Sequence, residues 1–185
     1  MPRRSARPGV RTLVLGGIRS GKSQHAESLI TGADTVRYLA TGPVPDTGDP
    51  GDSWSIRVEA HRSRRPAHWT TVETSDLATP LRADPAVPSL VDDIGGWLTA
   101  VMDRRDAWAG GSVRADTDEL CAAIADVTAP LVLVSPEVGL TVVPATAAGR
   151  LFADELGALN QRLAALCDSV VLIVAGLPLT VKDNT

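Results

Sequence analysis

The chain has 185 residues and a formal net charge of −4, with 44% hydrophobic and 22% charged residues. This composition predicts a globular protein large enough to bury a core, and it excludes a general nucleic-acid binder, which would carry a basic surplus. No apolar stretch approaches the roughly 18 residues of a membrane span. Two cysteines without metal-ligand spacing favour a reducing compartment, so we expect a cytoplasmic protein.

The basic residues 1–10 lack the apolar segment of a signal peptide, so we expect a flexible lead before a single domain over residues 11–185. Apolar runs predict strands at 11–16, 36–42, 68–74, 89–95, 131–139 and 170–181. Helical periodicity predicts helices at 22–32, 54–64, 96–105, 118–127 and 147–167. Polar or Pro- and Gly-rich segments predict loops at 43–53 and 109–117. This alternation predicts an α/β fold, a mostly parallel sheet with helices on both faces.

The segment GGIRSGKS (16–23) matches the pattern G-x-x-x-x-G-K-[ST] between a predicted strand and a predicted helix. Glycines let the backbone turn without a Cβ in the way, so that peptide N–H groups and the helix N-terminus face an anion. Lys22 supplies an ammonium for phosphates and Ser23 a hydroxyl for Mg²⁺. A chance match in a glycine-rich turn is the alternative, and the strand–loop–helix setting argues against it. The predicted nucleotide loop is Gly16, Gly17, Ile18, Arg19, Ser20, Gly21, Lys22 and Ser23.

Carboxylates follow two of the predicted apolar strands. Asp92 and Asp93 end the apolar run of SLVDDIG, and Glu137 follows LVLVS. Ligands bind open α/β sheets at the carboxyl edge of the strands, and Mg²⁺ in such sites is commonly held by a carboxylate. We assign Asp92 to Mg²⁺ through water, with Glu137 as the second candidate. Either aspartate could instead cap the following helix.

A basic segment, RVEAHRSRRPAHW (57–69), contains His61. Neighbouring positive charges favour a neutral imidazole, which is a nucleophile, and arginines bind phosphates. A solvated basic helix with an incidental histidine is the simpler interpretation on composition alone. The arginines around His61 in the sequence are Arg57, Arg62, Arg64 and Arg65.

These segments, taken together, resemble a known family. In chain order, the segments are LVLGGIRSGKSQHAESL, YLATG, RVEAHRSRRPAHWTTVE, LVDDIGGWLT, LVSPEVG followed by VVP, and LGALNQRLAALCD. They are similar to the bifunctional adenosylcobinamide kinase/adenosylcobinamide-phosphate guanylyltransferase family of cobalamin biosynthesis. The similarity runs from about residue 12 to residue 182. It implies a P-loop domain of RecA-like type that assembles as a homotrimer.

The resemblance implies two reactions. ATP or GTP phosphorylates the hydroxyl of adenosylcobinamide, and GTP then donates GMP through a guanylylated histidine, which gives adenosylcobinamide-GDP from adenosylcobinamide phosphate. The family's covalent histidine falls on His61 and its nucleotide loop on residues 16–23, with Lys22 as a catalytic residue and Mg²⁺ held by Ser23 and Asp92. Further nucleotide contacts fall on Ala40, Thr41, Gly42, Arg62, Ser63, Arg64, Arg65, Glu73 and Asp92.

Several positions differ from the family pattern. Pro136 stands where Asn is common, and Gly95 with Gly96 replaces a Thr-Leu-like pair. The remaining differences are Asp93 for Cys, Thr141 for Gly and Ala145 for an acid. They concern acceptor-side positions more than the nucleotide loop.

Two other functions are compatible with the motifs. One is a monofunctional small-molecule P-loop kinase in which His61 is inert. The other is a nucleotide-binding regulatory module without transfer chemistry. We assign structural roles to the remaining histidines, His25 and His68.

Overall fold

The computed structural model describes residues 9–42, 65–140 and 142–184. Its strands are β1 (Arg11–Gly16), β2 (Val36–Ala40), β3 (Trp69–Glu73), β4 (Ser89–Asp92), β5 (Leu131–Pro136), β6 (Ser169–Val174) and β7 (Leu177–Asp183). Its helices are α1 (Lys22–Ile30), α2 (Ala78–Ala83), α3 (Ile94–Arg104), a 3-10 turn (Ala107–Ala109), α4 (Arg114–Asp126) and α5 (Ala147–Leu166). None of the described helices is long and apolar enough to cross a membrane.

The strands form one sheet in the order β3-β2-β4-β5-β1-β6-β7. All neighbours are parallel except β6 and β7. The predicted α/β class with a mostly parallel sheet is therefore confirmed. Because β1 lies between β5 and β6, the loop that follows it opens at the middle of the carboxyl edge of the sheet.

Two apolar layers cover the two faces of the sheet. On one face, Ala26 and Ile30 of α1 pack against strand residues such as Val14 and Val134. On the other face, α3, α4 and α5 bury side chains such as Leu98 and Leu159. Burial of apolar area on both faces explains why the central strands are nearly continuous runs of Leu and Val.

The prediction of a single last strand at 170–181 was wrong. The segment forms an antiparallel hairpin of β6 and β7, joined at Ala175 and Gly176, whose φ angles are 50° and 81°. Two positive φ angles are what a tight two-residue hairpin turn requires. The sequence Ala-Gly lacks the Asn or Asp that is common in this turn, and it lies within an apolar run. The turn was therefore not predicted from the sequence.

Other boundaries also differed from the predictions. The loop predicted at 109–117 contains the start of α4, because Asp116 and Thr117 are buried there. Asp116 is paired with Arg104 and Arg105 at 3.0 and 2.8 Å. Helix α2 was not predicted, and the strand predicted at 89–95 ends at Asp92. The predicted loop 43–53, helix 54–64 and most of the lead 1–10 lie outside the described residues.

Two of the positions that differ from the family pattern touch each other. A Cβ built on Gly95 would lie 2.8 Å from Cγ and 3.0 Å from Cδ of Pro136. Pro136 ends β5, where it is the register partner of Gly16. The proline ring cannot swing away, so a glycine at position 95 lets α3 begin against the end of β5.

We therefore expect Gly95→Ala to destabilise the protein by about 1–3 kcal/mol, the usual cost of overpacking. The matched control is Gly157→Ala in α5, where an added Cβ would meet nothing within 4 Å. That change should stabilise by about 0.5–1 kcal/mol, because glycine disfavours a helix interior. Urea unfolding of both variants measures the difference. Stabilisation by both alanines would contradict the contact.

Candidate functional site

The loop between β1 and α1 is tightly closed. A Cβ on Gly16 would clash with Ser20 Oγ and lie 3.0 Å from the carbonyl oxygen of Ile173. Gly21 has a φ of 92°, a region that favours glycine. The N–H of Gly176 in the β6–β7 turn donates to the carbonyl of Ser20 at 2.9 Å. The loop is therefore hydrogen-bonded to the neighbouring hairpin and has no room for a side chain at Gly16.

Helix α1 begins directly after this loop. Its N-cap is Gly21, which has no side chain to satisfy the first N–H groups, and no acidic residue lies in the first turn. Unpaired N–H groups and the positive end of the helix favour an anion at this position. Lys22 Nζ lies 3.4 Å from the carbonyl oxygen of Gly17, so its ammonium lies across the loop. Ile18 is 90% exposed at the tip of the loop.

Asp92 lies beside the loop, at the end of β4. Ser23 Oγ donates to Asp92 Oδ1 at 3.3 Å, and Tyr38 Oη donates to Asp92 Oδ2 at 2.7 Å. The two predicted metal ligands, Ser23 and Asp92, are thus brought together from α1 and β4. The hydroxyl of Tyr38 occupies the other carboxylate oxygen.

Asp93 has the capping role that the sequence left open between the two aspartates. Its Oδ1 accepts the N–H of Gly96 at 2.7 Å at the start of α3, and its own N–H donates to Thr41 Oγ1 at 2.9 Å. Burial raises the pKa of Asp93, and the nearby carboxylate of Asp92 raises it further. The hydrogen bonds of Asp93 therefore serve the start of α3 and the contact with Thr41, whereas the carboxylate of Asp92 faces the phosphate loop.

Arg65 is the first residue of the basic segment 57–69 that the structure describes. Its guanidinium lies 3.5 Å from the centroid of the Tyr38 ring, a cation–π arrangement. Arg65 Nη1 also donates to Thr71 Oγ1 of β3 at 3.1 Å. This arginine is thus connected through Tyr38 to Asp92. His61, Arg62, Ser63 and Arg64 lie outside the described residues.

The other predicted site residues follow strands at the same edge. Ala40 ends β2, and its carbonyl accepts the N–H of Thr74. Thr41 is buried, with Gly42 next to it, and Glu73 is exposed at the end of β3. Glu137 follows β5; its N–H donates to the carbonyl of Gly16 at 3.1 Å, and its carboxylate accepts the N–H of Gly139.

The oxygen atoms of Ser23 and Asp92 are of the kind that Mg²⁺ prefers. Across the described ranges, no group of three or more His, Cys, Asp or Glu is placed to hold a metal. One hydroxyl and one carboxylate beside a phosphate loop fit a magnesium ion that takes its remaining ligands from phosphates and water.

Two residues of this site were missed by the sequence analysis. Tyr38 was included only as part of the predicted strand 36–42 and of the segment YLATG, although it is the sole tyrosine of the chain. Gly176 was hidden by the prediction of one continuous last strand. No local pattern marks Tyr38 as a site residue, because its partners Asp92 and Arg65 lie far from it in the sequence.

A mostly parallel sheet whose β1 runs through GGIRSGKS into a helix defines a P-loop nucleotide-binding protein. The family model of cobinamide kinase/cobinamide phosphate guanyltransferase matches residues 12–181. The chain belongs to this family, which confirms the resemblance, and it is accordingly an enzyme of cobalamin biosynthesis.

Named relatives agree with the family. The chain is 37% identical to the bifunctional adenosylcobalamin biosynthesis protein CobU of Salmonella typhimurium over 190 residues, 92% of this chain and 98% of the relative. It is 38% identical to the bifunctional adenosylcobalamin biosynthesis protein CobP of Pseudomonas aeruginosa over 179 residues, 95% of this chain and 99% of the relative.

Solved structures share the fold at low sequence identity. An ATPase from the type III secretion system of pathogenic bacteria superposes with a TM-score of 0.55 at 12% identity, covering 94% of this chain and 57% of that one. A Pyrococcus horikoshii OT3 protein, PH0250, has a TM-score of 0.52 at 8% identity, covering 97% of this chain and 89% of that one. These similarities support the P-loop α/β fold.

Lys22→Ala tests the phosphate loop. The change removes a charge aimed at phosphoryl oxygens, so we expect kinase turnover to fall on the order of 10²-fold or more while the fold survives. Transfer of labelled γ-phosphate to cobinamide is the measurement. Turnover within tenfold of the unchanged enzyme would refute the role of Lys22.

The matched control is Lys182→Met, which changes the other lysine of the chain. Lys182 Nζ donates to the carbonyl oxygens of Ala164 and Cys167 at the end of α5. Its loss should lower stability by about 1 kcal/mol through the uncapped helix end and leave turnover unchanged.

Proposed function

We propose that this enzyme carries out two successive transfers on adenosylcobinamide. In the first, the substrate hydroxyl attacks the γ-phosphorus of ATP or GTP, the bond to the bridging oxygen breaks, and a nucleoside diphosphate leaves. In the second, GMP passes from GTP to the new phosphate ester, which gives adenosylcobinamide-GDP. The observation that carries this proposal is the phosphate loop beside Asp92, within a chain that matches the family over residues 12–181.

The nucleotide loop and Lys22 bind the phosphates in this proposal. Backbone N–H groups at the start of α1 surround the phosphate chain, and the ammonium of Lys22 neutralises charge on the transferred group. Ser23 and Asp92 would hold Mg²⁺, directly or through water, and the ion would stabilise charge on the β and γ oxygens. The remaining proposed nucleotide contacts are Ala40, Thr41, Gly42, Arg62, Ser63, Arg64, Arg65 and Glu73.

We assign the covalent step to His61. Its imidazole nitrogen attacks the α-phosphorus of GTP and pyrophosphate leaves; an oxygen of adenosylcobinamide phosphate then attacks that phosphorus, and the P–N bond breaks. Arg65 supports this assignment because it lies on Tyr38, which contacts Asp92. Arg65 follows His61 by four positions in the sequence.

The expected homotrimer is part of the same proposal. The edge hairpin exposes Leu177, Leu179 and Val181 by 71%, 58% and 62%, together with Val174 by 55%. Apolar side chains in such a row on an edge strand favour burial against another subunit.

We propose a cytoplasmic location, where the nucleoside triphosphates ATP and GTP are available.

Asp92→Asn tests the metal assignment. The amide keeps the shape of the side chain and loses the charge that attracts a hard cation, so the Mg²⁺ concentration for half-maximal kinase rate should rise on the order of tenfold. Nucleotide affinity measured in EDTA should change little. An unchanged Mg²⁺ titration would move the metal carboxylate to Glu137.

His61→Ala tests the guanylyl step. Incubation with α-³²P-labelled GTP should leave acid-labile, alkali-stable label on the unchanged protein, as expected for a phosphoramidate, and no label on the variant. Kinase activity should be retained at least in part, because that transfer needs no covalent step. Attack requires the neutral imidazole, so labelling should increase as the pH is raised.

The chain contains two other histidines as controls. His25 lies on α1, where burial lowers its pKa and favours the neutral imidazole, and His68 is exposed before β3. His25→Gln and His68→Gln should both keep the label. Label that persists in His61→Ala and disappears in His25→Gln would transfer the covalent role to His25. Kinase activity without any label in the unchanged protein would indicate the monofunctional kinase.

A further inference from the structure

Tyr38 is a buried polar residue at the centre of an apolar layer. Its side chain is only 1% exposed, among residues that pack under α1. Its hydroxyl does not point to solvent but donates to Asp92 Oδ2 at 2.7 Å. A hydrogen bond between a buried hydroxyl and a carboxylate is short and charge-assisted, which makes it one of the stronger kinds in proteins.

The ring of Tyr38 has a second set of neighbours. The guanidinium of Arg65 covers one face at 3.5 Å, and Trp69 lies with its ring centroid 6.3 Å away. Thr71, the register partner of Tyr38 on β3, accepts a hydrogen bond from Arg65. The ring therefore lies between the last arginine of the basic segment and the carboxylate beside the phosphate loop.

The hydroxyl of Tyr38 is the donor in this contact, and Oδ2 of Asp92 is the acceptor. With Oδ2 occupied by this donor, the carboxylate cannot rotate freely, and Oδ1 stays directed at Ser23 Oγ, 3.3 Å away.

We propose that Tyr38 is a positioning residue for phosphoryl transfer, which fixes the carboxylate of Asp92 against Ser23 and links it to the basic segment through Arg65. This inference rests on the proposed function, since it assumes that Ser23 and Asp92 serve the phosphate site. It adds a residue that does not contact the nucleotide itself.

Tyr38→Phe is the direct test. Phenylalanine keeps the ring for Arg65 and the apolar layer, and it loses only the donor to Asp92. We expect kcat of the kinase step to fall about tenfold, the effect of losing one hydrogen bond to a charged group. The Mg²⁺ concentration for half-maximal rate should rise several-fold, and nucleotide affinity in EDTA should stay within about twofold. Equal kcat and equal Mg²⁺ dependence would overturn the proposal.

A double-mutant cycle with Asp92→Asn separates positioning from a general loss of structure. If Tyr38 acts through Asp92, the two changes together should cost much less than the product of their separate effects on kcat. A multiplicative loss would mean that Tyr38 acts elsewhere, and would overturn the proposal. Trp69→Phe is the matched packing control: it alters the contact with the Tyr38 ring, and we expect lower stability with unchanged kcat and Mg²⁺ dependence.

The hydrogen bond can also be observed without turnover. Because the chain has one tyrosine, [¹³Cζ]tyrosine labelling gives a single NMR resonance. We expect this resonance to shift in Asp92→Asn and again when Mg²⁺ and a non-hydrolysable nucleotide are added to the unchanged protein. A resonance unaffected by Asp92→Asn would overturn the contact itself.

These readouts distinguish the two levels of inference. An active enzyme in which Tyr38→Phe has normal kinetics and a normal resonance would overturn the positioning role alone. An unchanged protein that neither phosphorylates cobinamide nor binds Mg²⁺-nucleotide would overturn the proposed function. The positioning role of Tyr38 would then be overturned as well, because it depends on that function.

Discussion

The end of β1 has no space for a side chain, and this steric constraint organises the site around it. Ser20 and the carbonyl of Ile173 occupy the position that a Cβ on Gly16 would take. The chain can therefore turn directly from a central strand into α1, and the N–H groups at the start of that helix face the carboxyl edge of the sheet. Because β4 ends at the same edge, Asp92 and Ser23 meet there, although 69 residues separate them.

Much of the fold could be predicted because local sequence and tertiary structure agree. Buried parallel strands require apolar runs, and the long amphipathic repeat of α5 has one dominant face toward the sheet. The errors arose where a tertiary contact decided the outcome. Asp116 and Thr117 look like loop residues until Arg104, Arg105 and Arg162 are seen to satisfy them. The β6–β7 turn requires two positive φ angles, and the sequence Ala-Gly does not predict them.

In the candidate site, too, features encoded by local sequence could be predicted and features that depend on tertiary contacts could not. A contiguous motif predicted the phosphate loop, since all its parts lie within eight residues. The sequence analysis assigned Asp92 to the metal but left open which of the two aspartates caps the following helix, because adjacent residues at a strand end point to different surroundings. In the structure Asp93 caps α3 and Asp92 faces Ser23. Tyr38 was beyond prediction for another reason: its partners come from β3, from β4 and from Arg65 of the basic segment, and no local pattern connects them.

The position of β1 in the sheet has a consequence for synthesis on the ribosome. β1 is translated before both of its sheet neighbours, β5 and β6, which span residues 131–136 and 169–174. The Ser20 carbonyl is held by Gly176, which is translated later still. Such distant pairings form slowly, because long loops must close first. In a nascent chain the phosphate loop therefore lacks its sheet neighbours and the Gly176 hydrogen bond until β5, β6 and the β6–β7 turn have been translated, and nucleotide can stabilise the folded loop only after that.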